Sequence, residues 1–499
     1  MKQTTRKKAA RAVVSIALLG LVAPLAQAPS AAAAAPHVPL RWSACQDGGP
    51  DPRRLCATVR VPMDYGAPGG RTIDIAVSRV PAENPAARRG ALLLIPGGPG
   101  GSSLGDPSGK GRKLPQEVRD RYDLIGFAPR GLAPSTSVSC GLAQEDLALT
   151  RLRPWPAPDG SVDGNMATAR RTAEACARNG GALLRHINTV NEARDIDRVR
   201  AALGERRISA WGVSYGTYVG AVFTQLFPHR ADRVVLDSND DPDPARLSRA
   251  WLAGYETGAE DTFPEFAAWA SAPGSPVRLA ATASEVRPLF LRLAARLDRE
   301  PIPWPGANPP RLDGNVLRQT MLDSFYAPQS RFPVLARLIR AALDGTPLPP
   351  APTPPSQEQQ QNLAAVAAAT LCNDVAWPSS AADYRGAVAE SRAAHPLTAG
   401  MPRNAMVCAA WPYPPGRPPV RITGSGSSRV LMVQNRRDVA TPLSGALRLR
   451  EALGGRAVMV VVDSTGHGAY LANGNACGDR AVSRFLTTGA RPGQDAYCG

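Results

Sequence analysis

The sequence lacks the features that would mark a metal centre, a nucleotide site or a nucleic-acid surface. It has no C-x-x-C pair, and its five histidines are dispersed, so we expect no metal. No glycine-rich segment is followed by G-K-[ST], which argues against a phosphate-binding loop. The net charge of +16 comes largely from scattered arginines rather than a basic stripe, so we expect no nucleic-acid binding. No cofactor is expected either.

Long apolar runs are also absent, apart from one near the N-terminus. Lysines and arginines precede an apolar run over residues 13–26, and Ala26-Gln27-Ala28 fits a cleavage site of small residues. The run is too short to cross a bilayer and contains Pro24, and no cysteine follows it for lipid attachment. We therefore expect a signal peptide over residues 1–28, a flexible leader over residues 29–39, and a secreted, extracellular protein without a membrane anchor.

Eight cysteines agree with export, because an even count in an exported chain implies disulfides. The simplest pairing joins sequence neighbours, although the count alone leaves many other connectivities open. These neighbouring pairs are Cys45–Cys56, Cys140–Cys176, Cys372–Cys408 and Cys477–Cys498.

Apolar, β-branched runs alternate with helical patterns in both end regions of the chain. This alternation predicts an α/β protein with a mainly parallel sheet covered by helices on both faces. The predicted strands are residues 72–80, 91–95, 122–127, 208–213, 233–237, 430–434 and 458–463. The predicted helices between them are residues 166–178, 190–203 and 443–453.

The alternation stops near residue 243 and resumes near residue 429. The region between is helical and broken by proline, with predicted helices at residues 251–270, 288–297, 316–326, 333–343 and 357–370. We interpret it as a large, mostly helical cap inserted over the carboxyl edge of the sheet, where α/β sheets bind ligands. A separately folding domain is the alternative. The predicted organisation is a first core part over residues 40–244, a cap over residues 245–400 and a second core part over residues 401–499.

Gly212-Val213-Ser214-Tyr215-Gly216 is a G-x-S-x-G motif between a predicted strand and a helix. In this context the serine stands on a tight, strained turn that raises its hydroxyl above the sheet. Gly212 and Gly216 let the chain pass close to itself at the turn. A chance pentapeptide is the alternative, but the flanking strand and helix favour a nucleophile at Ser214.

A serine nucleophile needs a base, and in the α/β-hydrolase arrangement that histidine comes last in the chain. Only three histidines follow Ser214. His229 is expected in a surface turn, and His395 precedes a proline inside the cap. His467 lies in a loop of small residues directly after the last predicted strand, so it is the predicted base.

The base in turn needs a carboxylate that fixes its tautomer. Asp438 lies in the loop after the penultimate strand and is the predicted acid. Arg436 and Arg437 would help to keep it ionised if either lies close. Asp463, which ends the strand before His467, is the main alternative and is expected to be structural.

Two backbone amides must stabilise the oxyanion that develops in acyl transfer. The residue after the nucleophile, Tyr215, supplies the first amide. The second is expected from the glycine-rich loop of residues 96–100, where Gly98 is the predicted donor and Gly97 the second choice.

These motifs resemble the prolyl-iminopeptidase-like branch of the α/β-hydrolases, and most closely its secreted bacterial tripeptidyl aminopeptidase group. Residues 96–100 (PGGPG) stand where the branch has HGGPG, and residues 123–131 (DLIGFAPRG) resemble its D-x-x-G-x-D-x-R-G segment. The other similar segments are residues 212–217 (GVSYGT), 438–442 (DVATP), 372–374 (CND) and 408–412 (CAAWP). The resemblance covers nearly all of the mature chain, with departures at Pro96 and Ala128.

The resemblance implies a secreted serine exopeptidase that removes short peptides, expected to be tripeptides, from free N-termini. Such an enzyme must bind a free α-ammonium, for which a carboxylate is the natural partner. In the branch these carboxylates lie in the cap, so Glu256, Glu260 and Asp374 are the candidates here. Glu256 and Glu260 share one helix face by their i,i+4 spacing, and a solvated face is the alternative. The expected partners are peptides with a free N-terminus, and the protein is expected to be a monomer.

Two other functions compete with this hypothesis. A secreted esterase or related hydrolase could use the same triad on non-peptide substrates, and the departures at Pro96 and Ala128 keep that alternative open. A non-catalytic binding protein could retain the fold, but the intact set of Ser214, Asp438 and His467 argues against it.

Overall fold

The computed structural model describes residues 40–243, 247–416 and 418–499. The predicted signal peptide and leader lie outside these residues, and so does residue 244 at the predicted junction of core and cap. The strands are β1 (Ser43–Ala44), β2 (Leu55–Pro62), β3 (Thr72–Val80), β4 (Gly90–Ile95), β5 (Tyr122–Phe127), β6 (Ile208–Ser214), β7 (Ala231–Asn239), β8 (Ile302–Pro303), β9 (Arg311–Leu312), β10 (Arg429–Arg437), β11 (Ala457–Thr465) and β12 (Ala496–Cys498). The α-helices are α1 (Gln116–Arg119), α2 (Leu149–Leu152), α3 (Asp163–Asn179), α4 (Thr189–Ala202), α5 (Tyr215–Leu226), α6 (Leu247–Ser271), α7 (Ala283–Arg299), α8 (Gly314–Ser324), α9 (Pro328–Asp344), α10 (Gln357–Asp374), α11 (Ala381–Ala394), α12 (Leu443–Leu453) and α13 (Ala476–Thr488).

One ten-stranded sheet forms the core, in the order β1-β2-β3-β5-β4-β6-β7-β10-β11-β12. The four strands β1, β2, β3 and β5 pair antiparallel, and every pairing from β5 to β12 is parallel. All residues of β4 and β5 are buried, as expected for parallel strands that are covered on both faces. The seven strands predicted from apolar runs are all present in this sheet, which confirms the predicted α/β-hydrolase fold.

Helices cover both faces of the sheet and make two apolar layers. Side chains of α4, α5 and α12 pack in one layer, which includes Ile196, Val219 and Leu449. Side chains of α1 and α13 pack in the other layer, which includes Val118 and Phe485. The sheet is therefore sandwiched between helices, and its carboxyl edge is left for the cap.

The cap consists of α6 to α11, which lie between β7 and β10 in the chain. Its helices share an apolar cluster of their own, where Phe263 packs edge-on against Phe290 and Phe325 and Phe266 packs edge-on against Phe332. The described residues from 40 onward form one compact unit. The limits of the cap at residues 245 and 400 stay predictions.

Helix α10 fastens the cap to the core at several points. Near its N-terminal end, the side chain of Asn362 donates to the carbonyls of Gly131 and Val138, both at 2.7 Å. The carbonyl of Leu363 lies so close to the glycine-rich loop that a Cβ on Gly100 would stand 3.3 Å from it. At the C-terminal end of α10, Asp374 accepts from Thr189 at the start of α4.

The four predicted disulfides are all present, and they join Cys45–Cys56, Cys140–Cys176, Cys372–Cys408 and Cys477–Cys498. The set is typical of proteins that mature in an oxidising compartment. Within the described ranges, no helix has the length and apolar composition needed to cross a bilayer.

Candidate active site

The candidate nucleophile stands on a strained turn between β6 and α5. Ser214 has a φ of 58°, in a region that residues with a side chain rarely adopt. The turn is close-packed: a Cβ on Gly212 would lie 2.3 Å from the carbonyl oxygen of Gly216, and one on Gly216 would lie 2.6 Å from that of Ile95. The hydroxyl of Thr217 donates to the carbonyl of Ser214 at 2.6 Å and fixes the turn from inside. This is the conformation that the G-x-S-x-G motif predicts.

Asp438 and His467 are in direct contact. Asp438 follows the last residue of β10 and is fully buried. The imidazole Nδ1 of His467 lies 2.9 Å from Asp438 Oδ1 and 3.0 Å from Oδ2. Asp438 Oδ1 also accepts from the amides of Ala440 and Thr441, both at 3.0 Å, which orients the carboxylate. The carboxylate therefore holds the proton on Nδ1 and leaves Nε2 able to accept one.

The alternative acid, Asp463, is engaged elsewhere. Its carboxylate forms an ion pair with Arg437 at 2.7 Å, and Arg437 also pairs with Glu265 at 3.0 Å. The guanidinium of Arg437 is thus directed to these two carboxylates and not to Asp438. Asp438 is held by backbone amides and by the imidazole instead.

The end of β7 supports the loop that carries His467. The amide of Gly468 donates to the hydroxyl of Ser238 at 2.8 Å, and the amides of Ala469 and Tyr470 donate to the carboxylate of Asp237 at 2.7 and 3.0 Å. Burial raises the pKa of Asp237 to about 6. No sequence pattern points to Ser238 or Asp237, because their contacts join segments more than 200 residues apart.

The same strand end also lies beside the nucleophile. Asn239, the last residue of β7, pairs with Ser214 across the β6–β7 ladder. Ser214 ends β6, and Asp438 and His467 follow the ends of the parallel strands β10 and β11, so all three residues lie at the same carboxyl edge of the sheet.

The surroundings of His467 favour its protonated form. Burial alone would lower the pKa of the imidazole, but Asp438, followed by Asp237 and Asp240, outweighs burial and raises that pKa above its usual value. Asp240 has a pKa raised to about 7, mainly by burial, with Asp438 and Asp241 adding to the effect and His467 opposing it. This edge of the sheet is therefore rich in acidic side chains.

The cap contacts the catalytic loop through Tyr326. Its backbone carbonyl accepts from the amide of His467 and from the side chain of Asn473, both at 3.0 Å. Its hydroxyl contacts that of Tyr255, and the guanidinium of Arg153 lies 5.0 Å from the Tyr255 ring. No sequence signal connects these residues, because they are brought together only by the packing of the cap.

The glycine-rich loop after β4 lies against the nucleophile. A Cβ on Gly97 would stand 3.1 Å from the Cβ and 3.7 Å from the Oγ of Ser214. Gly98 follows with a φ of 127°, which a residue with a side chain rarely adopts. Both candidate donors are therefore in the loop next to Ser214, and the choice of Gly98 over Gly97 stays a prediction.

Tyr215, whose amide is the other predicted donor, is the first residue of α5 and is held through its side chain. Its hydroxyl lies 2.8 Å from Thr189 Oγ1 and 3.1 Å from Glu192 Oε2. Burial raises the pKa of Glu192 to about 8, so this carboxyl is neutral at pH 7. This buried network supports the turn that carries the nucleophile.

The three carboxylates predicted to bind the substrate amine each have a partner within the protein. Glu256 is buried and accepts from Arg403 at 2.9 Å, and Glu260 forms an ion pair with Arg287. Asp374 accepts from the amide of Thr189 at 2.9 Å. An incoming ammonium would have to compete with these partners, and the role of the three residues stays a prediction.

The mainly parallel sheet, the serine on a strained strand–helix turn and the buried Asp–His pair define a serine hydrolase of the α/β-hydrolase class. Comparisons with known proteins agree. Residues 395–498 match the family described as TAP-like protein. The chain is 31% identical over 476 residues to the tripeptidyl aminopeptidase of Streptomyces lividans, covering 94% of this chain and 88% of that protein.

Two further relatives come from Mycobacterium tuberculosis. The serine protease Hip1 is 29% identical over 520 residues, covering 98% of this chain and 96% of that protein. Carboxylesterase B is 30% identical over 497 residues, covering 95% of this chain and 92% of that protein. The chain belongs to the tripeptidyl aminopeptidase group of the α/β-hydrolases, which confirms the predicted family, and it is a serine peptidase of that type.

Proposed function

We propose that the protein is a secreted serine aminopeptidase that releases short peptides, chiefly tripeptides, from the free N-termini of peptide substrates. Ser214, His467 and Asp438 are the proposed catalytic triad. The amides of Gly98 and Tyr215 are the proposed oxyanion donors. The four disulfides support export, and the protein is proposed to act as a monomer.

In the acylation step, Ser214 Oγ attacks the scissile carbonyl carbon while His467 Nε2 accepts the hydroxyl proton. The tetrahedral oxyanion is stabilised by the two amides. When the C–N bond breaks, the imidazolium donates the proton to the departing amine, which becomes the new N-terminus of the shortened peptide. The short N-terminal peptide remains bound to Ser214 as an ester.

In the deacylation step, a water molecule loses a proton to His467 and attacks the ester carbonyl. The C–O bond to Ser214 then breaks, and the proton returns to the serine oxygen. Asp438 stabilises the imidazolium in both steps without taking the proton itself.

The contact that carries this proposal is the pairing of His467 Nδ1 with both oxygens of the buried Asp438 carboxylate. It supplies an oriented base at the sheet edge that also holds a strained serine. The 31% identity with a tripeptidyl aminopeptidase supports peptides as the substrate class.

The test is a panel of p-nitroanilides with one-, two- and three-residue acyl groups, each with a free and an acetylated N-terminus. We expect the free tripeptidyl substrate to be cleaved fastest and Ser214→Ala to be inactive while still folded. Equal cleavage of the free and acetylated substrates would exclude an aminopeptidase.

An esterase is the second candidate, and two observations favour it. One relative of nearly full length carries the name carboxylesterase B. In addition, Glu256, Glu260 and Asp374 are all engaged by partners of their own. An esterase would hydrolyse p-nitrophenyl esters rapidly and leave every anilide of the panel nearly intact.

A further inference from the structure

Asp240 lies beside the nucleophile, although no sequence pattern marks it. It directly follows Asn239, the residue of β7 that pairs with Ser214. Its amide donates to Thr217 Oγ1 at 3.0 Å, and that hydroxyl donates to the carbonyl of Ser214. Two hydrogen bonds therefore fix the backbone of Asp240 against the turn that presents the serine.

The carboxylate of Asp240 has no hydrogen-bond or ion-pair partner among the described residues, although the residue is only 8% exposed. The neighbouring carboxylates, in contrast, each have a partner. Asp237 accepts two backbone amides, Asp241 pairs with Arg448 at 2.7 Å, and Asp438 holds His467. Each of these three carboxylates has a partner that accounts for its burial.

A buried carboxylate without a partner destabilises the folded protein. This free-energy cost is removed when a cation binds to the carboxylate, because the charge is then neutralised and the carboxylate oxygens accept hydrogen bonds. The pKa of about 7 fits this state, since the group is partly ionised at neutral pH and would be fully ionised beside a cation. An α-ammonium supplies one positive charge and three N–H donors.

We propose that Asp240 binds the free α-ammonium of the substrate and so makes the enzyme select unblocked N-termini. This inference rests on the proposed aminopeptidase function and assigns its specificity to a residue at the edge of the core rather than to the cap. Glu256, Glu260 and Asp374 already have partners, whereas the carboxylate of Asp240 has none in the part of the chain that the structure describes.

The alternative role for Asp240 is that of a second acid, which would pair with His467 alongside Asp438. Both oxygens of Asp438 already lie within 3.0 Å of the imidazole Nδ1, so that position is filled. A second acid would affect every substrate alike, whereas an ammonium site affects only substrates with a free amine. The two roles are therefore distinguished by the effect of an Asp240 variant on substrates with a free amine and on substrates without one.

The experiment compares wild type with Asp240→Asn and Asp240→Glu on alanyl, dialanyl and trialanyl p-nitroanilides and on their N-acetyl counterparts. Assays run at about pH 7.5, where the ammonium and the carboxylate are both substantially charged. We expect Asp240→Asn to raise KM about tenfold or more for the preferred free substrate. The acetylated substrates should change less than about twofold, and Asp240→Glu should recover part of the loss. Glu260→Gln tests the competing site, because it removes a cap carboxylate that is also a candidate to bind the amine but is already paired with Arg287.

Three results would overturn the proposal. They are an equal loss on free and acetylated substrates, an unchanged preference for free amines in Asp240→Asn, and a selective loss in Glu260→Gln instead. If the wild-type enzyme shows no preference for free amines, the proposed aminopeptidase function itself is refuted. This result is distinguishable from the three above, because it is seen without any variant. Asp240→Asn is isosteric and removes an unpaired buried charge, so a melting temperature at or above that of wild type verifies folding.

Discussion

The ring of Tyr326 lies edge-on to the imidazole of His467, with centroids 4.9 Å apart and an interplanar angle of 67°. Tyr326, a residue of the cap, thus contacts the proposed base directly, through its side chain as well as through the carbonyl that accepts from the His467 amide. This double contact couples the folding of the cap to the orientation of the base.

The first prediction concerns that ring. Tyr326→Ala should lower kcat about two- to tenfold, because an aromatic pair of this kind contributes on the order of 1 kcal/mol to holding the imidazole. Tyr326→Phe keeps the ring and should stay within about twofold of wild type. Steady-state kinetics on one ester substrate measure both variants, and an equal loss in the two would show that the hydroxyl, not the ring, matters.

The second prediction concerns the approach of the glycine-rich loop to the nucleophile. Gly97→Ala would place a Cβ 3.1 Å from both the Cβ of Ser214 and the carbonyl oxygen of Val213, so the loop must move away. We expect kcat/KM to fall about 100-fold, as for loss of an oxyanion donor. Gly274→Ala is the control, since nothing lies within 4 Å of the added Cβ. A Gly97→Ala variant with wild-type kinetics would contradict the packing.

The third prediction concerns the pH dependence of turnover. His467 must be neutral to accept the serine proton, and the nearby carboxylates raise its pKa above 6.5. Activity on an ester without an amine should therefore fall as the pH drops through a value above 6.5. Asp240→Asn removes one of these negative charges, so its acid limb should move to lower pH. A limb that moves to higher pH in this variant would contradict the assigned electrostatics.

The fourth prediction concerns the disulfide Cys372–Cys408, which ties the end of α10 to the segment before β10. Replacing both cysteines with serine should lower the free energy of unfolding by about 2–4 kcal/mol. The same change at Cys45–Cys56 should cost less, because that bridge closes a shorter loop of 11 rather than 36 residues. Denaturant unfolding of the two double variants gives the comparison.

The sequence predicts those parts of the fold that depend on local pattern. Runs such as residues 91–95 and 458–463 are apolar at consecutive positions, so their burial in a parallel sheet follows from composition alone. The motif around Ser214 and the scarcity of histidines lead directly to the Asp–His pair that the structure shows. The simplest pairing of the eight cysteines, between sequence neighbours, is also the pairing that the structure shows.

Other elements were not predicted. No long apolar run marks the strand β2 or the helices α11 and α13, although β2 forms eight pairs with β3 and α13 covers one face of the sheet. Their polar residues interrupt the apolar pattern, and their positions are decided by packing against distant elements.

The electrostatic roles of single carboxylates could not be derived from the sequence at all. Glu256 gains its partner from Arg403, which lies 147 residues further along the chain. Asp240 stands in a segment with several other aspartates, and only the folded chain shows which of them are paired. Ion pairing is a property of tertiary distance, so local spacing carries no information about it.

The contacts that hold the cap to the core at α10 and at Tyr326 affect how substrates reach Ser214. A cap held at both places cannot move as a rigid body unless it breaks the hydrogen bonds of Asn362 and Asp374 to the core and that between the Tyr326 carbonyl and the His467 amide. We therefore expect the opening to Ser214 to keep a nearly constant width. The cross-section of a substrate, and not a movement of the cap, should then decide whether it reaches the serine. Turnover should accordingly be insensitive to solvent viscosity.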